Sequence, residues 1–329
     1  MDILRNLLKK QANMRTNDCE RPAFYMMQGL PGSGKSTIAE QIKNNSRREV
    51  HIHSSDALRE EMFGSADIQD NANALFEELH RRIRADLNAG IDVIYDATNI
   101  HKKKRVAFIE SLSQIVCRKV NVCVMTPYEI CIERNAKRER IVPEQVIRKM
   151  YLNWSPPHYH EGFDDIELFF SKAMEPKIID ELFDYMNTFD QENSHHSLSL
   201  GEHCLKARDY LLESKIHKES SAPTNLLLAA LLHDIGKIDT KTRCNAKGKF
   251  DGDCHYYQHH CVGAYNSMLY LLGYQTAKIL DIANLIYYHM HPYTSWKQSE
   301  KAKERDRKLI GEEMFEDVNR LHEADIAAH

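Results

Sequence analysis

The chain has 329 residues, 42% of them hydrophobic and 28% charged, with a formal net charge of −4 at pH 7; that is enough for two ordinary globular domains and speaks against a disordered chain. Its eight cysteines (Cys19, Cys117, Cys123, Cys131, Cys204, Cys244, Cys254 and Cys261) include no C-x-x-C pair, which argues against a zinc ribbon or a disulfide framework and fits a reducing cytoplasm. Lysine plus arginine against aspartate plus glutamate runs 27 to 26 over residues 1–180 and 17 to 22 over the remainder, so neither half is a basic domain and any polynucleotide contact must be local.

In chain order, Met1 to Lys10 has the spacing of one amphipathic helix face and is too short and too charged for a signal peptide or membrane span, so it reads as a docked surface helix. Ala23 to Gln28 is a short apolar run that leads into Gly29-Leu30-Pro31-Gly32-Ser33-Gly34-Lys35-Ser36-Thr37, and helical spacing continues to Ile42. This is the strand, phosphate-cradling loop and helix of G-x-x-x-x-G-K-[ST]. Glycines turn backbone N–H groups towards anionic phosphate, Lys35 reaches the β- and γ-phosphates, and the Ser36 hydroxyl is placed to ligate Mg²⁺. The loop implies ATP or another nucleoside triphosphate.

Further strands are expected at Val50 to Ser54, Ile91 to Asp96 and Val120 to Met125, with helices over Asn71 to Ala89, Lys102 to Gln114 and from Val142 to Pro156. Such alternation predicts an α/β domain with a parallel sheet, residues 1–170. The strand ends carry the chemistry. Asp56 and Arg59 follow the second strand, where a carboxylate can take the proton of an attacking hydroxyl and a guanidinium can hold phosphate; Asp56 read alone is equally a helix N-cap. Asp96 ends the third and can support Mg²⁺. Arg134 and Arg138, one helical turn apart, can neutralise charge on a transferring phosphoryl group or simply face solvent, ahead of a lid at Ile141 to Glu144. The run His101 to Arg105 reads as surface, or as a phosphate-backbone contact if the acceptor is RNA or DNA.

Residues 171–194, acidic and apolar without a motif, read as a connection. From 195 to 329 the strand signals disappear and helical periodicity predicts an all-α domain. Twelve of the eighteen histidines lie after residue 190, a skew that points to a metal. The apolar run Leu226 to Leu232 ends in His233-Asp234; burying adjacent imidazole and carboxylate is costly unless something pairs with them, and a divalent metal does so. His203 precedes this pair, and His259, His289 and Asp325 follow it. Mixed imidazole and carboxylate ligation suits Mn, Co, Ni, Fe or Zn. Lys237 is a phosphate contact or an ordinary helix-end lysine.

On these residues the first half, over roughly 22–165, resembles the bacteriophage-type 5′-OH polynucleotide kinase domain: the glycine loop, Asp56 with Arg59, Asp96 to Asn99, and Arg134 and Arg138 before Val142-Pro143. The resemblance implies that Asp56 is the general base, that Arg59 binds the acceptor-end phosphate and that Arg138 contacts the donor phosphates. The second half, over roughly 195–329, resembles the HD superfamily of metal-dependent phosphohydrolases, which implies that His203, His233, Asp234 and Asp325 hold one metal and that His259 and His289 complete a second site. Together they resemble bifunctional RNA end-healing proteins, although there the HD module comes first. This implies phosphorylation of 5′-OH ends, hydrolysis of 2′,3′-cyclic phosphate or 3′-phosphate ends, RNA or DNA ends as substrate, and a separate polynucleotide ligase as partner. The alternatives are a small-molecule or nucleoside kinase fused to an HD nucleotidase, and a nucleotide-sensing switch without turnover.

Overall fold

The computed structural model describes residues 21–65, 71–171, 179–192, 198–213 and 224–329. The helix expected over Met1 to Lys10, and Cys19, lie outside them. The chain divides into two compact units, Met1–Met150 with Glu161–Met174 and Tyr151–His160 with Glu175–His329. The second thus takes in Tyr151–His160, which the sequence reading assigns to the first.

In the first unit β1 (Ala23–Gln28), β2 (Val50–Ser54), β3 (Asp92–Asp96), β4 (Arg118–Met125) and β5 (Asp165–Phe170) form one sheet in the order β2-β3-β1-β4-β5, with every pairing parallel. Around it run α1 (Lys35–Asn45), α2 (Ser55–Phe63), α3 (Ala72–Asn88), α4 (Lys102–Ser111) and α5 (Tyr128–Ala136), with α6 beginning at Glu144 and running to Leu152. β1 is buried at all six positions, as expected of a parallel strand covered on both faces, which reads as a continuous apolar run. Tyr25, Ile94, Val122, Val124 and Phe169 bring four strands into one core cluster. The chain visits β2 and β3 on one side of β1 and β4 and β5 on the other. The switch point therefore lies beyond the carboxyl ends of β1 and β4, where such sheets bind ligands.

The fifth strand is absent from the sequence reading, and the basic run differs from it. Arg105 is not a surface residue: its Nε and Nη2 each lie 2.7 Å from a Glu161 oxygen, and Nη1 donates to Asn99 O at 3.0 Å. Both side chains are 0% exposed. Arg105 is thus structural and unavailable to a nucleic-acid backbone. Glu161→Ala, which strands the guanidinium, is expected to cost about 3–5 kcal/mol in chemical denaturation of this unit.

The second unit is helical: α7 (Ile179–Thr188), α8 (Leu200–Glu213), α9 (Thr224–Leu232), α10 (Lys237–Thr240), α11 (His259–Tyr270), α12 (Thr276–Tyr288), α13 (Ser295–Gln298), α14 (Glu300–Ile310) and α15 (Glu312–Ala328). The stretch read as a bare connection contains α7, which buries Leu182 and Met186 and packs on α8. Among the described residues one hairpin interrupts the helices, β6 (Thr242–Cys244) with β7 (Phe250–His255). α8 lies against α9 and α15, and α12 against α9 and α11. A close approach fixes α11: a Cβ on Gly236 would meet His259 O at 2.0 Å, so only glycine lets the turn after Asp234 lie against the start of that helix.

Candidate active sites

The loop after β1 is shaped by backbone rather than by side chains. Gly32 has φ +80°, and a Cβ there would sit 2.2 Å from Cys131 O. Gly29 and Gly34 also have positive φ, and Gly34 leads into α1. Lys35 is buried with Nζ 2.8 Å from Leu30 O, and burial pushes its pKa down against the raising influence of Asp96. Ser33 Oγ is buried and without a hydrogen-bond partner, a donor left for an incoming group. Gly32→Ala is expected to weaken ATP binding by roughly tenfold or more, since strain of this kind costs ~1–3 kcal/mol; equilibrium binding checks it.

Ser36 Oγ donates to Asp96 Oδ2 at 2.7 Å, which brings the two expected Mg²⁺ ligands together at the rim; Thr37 is exposed beside them. The pair fits a cation that keeps several waters and takes one carboxylate and one hydroxyl from the protein. Asp56 is not the cap of α2. That role falls to Ser54, whose Oγ accepts from Asp56 N and Ala57 N. The Asp56 carboxylate is freed by this and lies 3.2 Å from Arg59 Nη1 and 2.7 Å from Arg140 Nη1.

The arginine pair departs from the expected helix. α5 ends at Ala136, so Arg134 lies in its last turn and Arg138 in the exposed turn beyond it. Arg134 Nη2 donates to Ser171 Oγ at 2.9 Å, and Arg138 is close enough to Lys35 to depress its pKa. Asn135 holds the following loop with two bonds to the Val142 backbone, at 2.8 and 3.1 Å. Sequence reasoning missed Arg140 because it sits in this loop, where no periodicity predicts what it faces.

In the second unit two trios of ligand atoms converge, His203 with His233 and Asp325, and Asp234 with His259 and His289, each set within 4.8 Å. All six residues are buried. His203 Nε2 lies 3.0 Å from Asp325 Oδ1 and 3.3 Å from His233 Nε2. Asp234 stands between the trios: Oδ2 is 3.6 Å from Nε2 of His203 and of His233, whereas Oδ1 is 3.2 Å from His259 Nε2 and 3.7 Å from His289 Nε2. Three rings are oriented from behind. Nδ1 of His233, His259 and His289 donates to the carbonyl three residues back, at 2.7, 2.8 and 2.6 Å, which leaves each Nε2 lone pair facing the cluster.

Electrostatically the cluster is a cation site. Burial opposes ionisation of Asp234, yet Lys237 and His233 hold its carboxyl well below the usual range. Burial, with His259 and His233 beside it, holds His289 down to about 3 and so neutral. Burial opposes a charge on His233, yet Asp234 beside it raises its pKa well above the ordinary value, so that without metal a proton on His233 helps balance the carboxylates. Imidazoles and ionised carboxylates packed at such distances fit a divalent metal that displaces that proton. His260 turns its ring to Tyr287 and His291, so of His259 and His260 it is His259 that joins the cluster, and His289 rather than His291.

Lys237 is not a solvent-facing helix end. Its Nζ lies 2.7 Å from Asp234 Oδ2 and donates to Gln191 Oε1 at 2.8 Å. Three neighbours escaped the sequence reading: Gln191, Tyr293, whose hydroxyl donates to Asp325 Oδ2 at 2.9 Å, and His329, whose ring centre is 4.9 Å from that of His203. The i, i+4 spacing of Asp325, in the last turn of α15, and His329, which follows that helix, was the available signal for the last. A cavity of 430 Å³ opens over the cluster, lined by Asp234, Lys237, Tyr256, Tyr293 and His329 among others.

The family model of AAA domains matches residues 24–157, and that of HD domains matches residues 194–326. The N-terminal half is thus a parallel-sheet P-loop kinase domain and the C-terminal half a helical HD domain. A curated relative is the L-seryl-tRNA(Sec) kinase of Methanococcus maripaludis, 24% identical over 228 residues that cover 66% of this chain and 83% of the relative. Among solved structures, the Pnkp1/Rnl/Hen1 RNA repair complex matches 42% of this chain and 44% of its own, at 20% identity and TM-score 0.37. A gluconokinase from Sinorhizobium meliloti matches 46% of this chain and 85% of its own, at 16% identity and TM-score 0.34. This chain thus spans less than half of the RNA repair chain it matches. No helix among the described residues is long and apolar enough to cross a membrane.

Proposed function

We propose that the chain is a bifunctional end-healing enzyme of RNA, acting in the cytoplasm upstream of a polynucleotide ligase. Its N-terminal domain phosphorylates 5′-OH ends with ATP and Mg²⁺. Its HD domain hydrolyses 2′,3′-cyclic phosphate or 3′-phosphate ends with one or two divalent metals. The observation that carries this is the presence in one chain of a glycine loop facing a carboxylate held between two arginines, Asp56 with Arg59 and Arg140, and of a buried histidine–aspartate cluster, two chemistries that act on phosphate in opposite directions.

In the kinase site the glycine loop and Lys35 would hold the donor phosphates, and Ser36 with Asp96, already in contact, would hold Mg²⁺. The 5′ oxygen attacks the γ-phosphorus, its proton passes to Asp56, and ADP departs. Arg59 and Arg140 steer the acceptor, because both already grip an oxyanion at Asp56. Arg134 and Arg138 neutralise the transferring group. In the HD site His203, His233, Asp234 and Asp325 would hold one metal, and His259 and His289, beside Asp234, would complete a second site. Divalent metal supplies Lewis acidity towards phosphate oxygens and acidifies water. Lys237 sits at the cavity wall, where its ammonium can meet a phosphate oxygen.

The relative named for L-seryl-tRNA(Sec) supports an acceptor carried on RNA. Competition settles the acceptor: with labelled ATP and equimolar 5′-OH oligoribonucleotide, nucleoside and free sugar, label is expected on the oligonucleotide. Label confined to a small molecule replaces this reading with a small-molecule kinase.

A further inference from the structure

Outside both sites, a third group of metal-ligand side chains lies at the edge of the kinase sheet. β2 is an edge strand, and residues two apart on a strand share a face, so His51 and His53 point to the same side, where α3 brings Asp86. Their hydrogen bonds converge on one atom. His51 Nδ1 is 2.8 Å and His53 Nε2 2.7 Å from Asp86 Oδ2. Behind His51, its other nitrogen, Nε2, lies 3.1 Å from Glu49 Oε1. We infer that His51, His53 and Asp86 form a binding site for a Zn²⁺-class cation, distinct from the P-loop and the HD cluster, with Glu49 orienting His51.

The donor set fits this class. Two imidazoles and one carboxylate suit zinc and its neighbours rather than Mg²⁺, which prefers oxygen. Two carboxylates facing two neutral imidazoles balance a divalent charge. With metal on Nδ1 of His51, its Nε2–H donates to Glu49, the carboxylate–histidine–metal pattern that fixes tautomer and ring. Without metal, protons do the bridging: Asp86 and Glu49 hold the His51 pKa above its ordinary value, Asp86 first. Tetrahedral bonds of ~2.0–2.1 Å set ligand atoms about 3.3 Å apart. Replacing the bridging protons by zinc therefore asks the two N···O separations to open by about 0.5 Å from 2.7 and 2.8 Å. The path is open, since the His51 side chain is 42% exposed at the sheet edge. Exposure also leaves room for water as a fourth ligand. A metal here would tie α3 to the strand that ends at Ser54, the cap of the helix carrying Asp56.

The HD cluster can also take zinc, so the test is a difference measurement on the full chain. Parent, His53→Gln and Asp86→Asn proteins are loaded with zinc, dialysed against a weak chelator and analysed for metal. Each variant is expected to retain one equivalent less than the parent, with HD-site hydrolysis unchanged; equal zinc content in parent and variants overturns the site. Should the variants fold poorly, the parent alone decides: zinc is expected to protect His51 and His53 from diethyl pyrocarbonate, read by peptide mass, at least tenfold relative to chelator-treated protein. Equal modification with and without zinc refutes the inference.

Discussion

Replacing His233 or Asp234 by alanine is expected to remove metal and all end-phosphate hydrolysis while leaving the 5′ kinase at full rate. Asp234 belongs to the second trio and turns its other oxygen to His203 and His233 of the first, 3.6 Å away, so its loss removes a ligand from one trio and a neighbouring carboxylate from the other. Its removal also strands Lys237, whose ammonium lies 2.7 Å from the lost carboxylate and is almost fully buried. His233 is 0% exposed and touches His203, Asp325 and Asp234, so its loss leaves the first trio without its central imidazole. Altering even residues that merely support ligands typically costs 10–100-fold, and loss of a ligand itself costs more. Metal analysis, paired with release of phosphate from 3′-phosphate and 2′,3′-cyclic phosphate RNA, reads both effects. Retained metal and hydrolysis in Asp234→Ala would remove that residue from the site.

Asp56→Asn is expected to keep ATP affinity and lose about 10²–10⁴-fold in kcat, the usual contribution of a positioned base. The amide keeps the shape but cannot take a proton. Ser54 caps the helix, so the substitution spares the cap but weakens the pairs with Arg59 and Arg140; chemical denaturation beside kinetics separates a catalytic from a structural effect. Lys35→Ala, by contrast, should abolish transfer and weaken ATP binding, since its ammonium is the buried positive charge of the loop. Steady-state kinetics and nucleotide binding on both variants distinguish these cases. A wild-type kcat in Asp56→Asn would leave its carboxylate as an ion-pair partner of Arg59 and Arg140 and no more.

The parts of this molecule that sequence reveals are those fixed by local rules. The glycine loop is legible because positive φ and close backbone approach demand glycine at set positions. His233-Asp234 is legible because an almost wholly apolar helix delivers them inward. Features set by distant partners were not. β5 carries Asp165 and Glu167 within a short run, and its place in the sheet comes from pairing with β4. Arg105 lies among lysines and reads as surface; Glu161, fifty-six residues on, makes it core. Arg140 sits in a loop without periodicity and meets Asp56 only through the fold. The hairpin of β6 and β7 was hidden by its short first strand, with Gly248 and the Asn245 side chain making the turn.

The most direct test of the account gives the purified protein one RNA that carries a 5′-OH and a 2′,3′-cyclic phosphate, with ATP, Mg²⁺ and Mn²⁺ or Ni²⁺, and analyses both ends of the product. The account predicts a 5′-phosphate lost in Lys35→Ala alone and a hydrolysed 3′ end lost in Asp234→Ala alone. An RNA recovered with both ends unchanged, from a protein that phosphorylates a nucleoside or hydrolyses a free nucleotide under the same conditions, would contradict it.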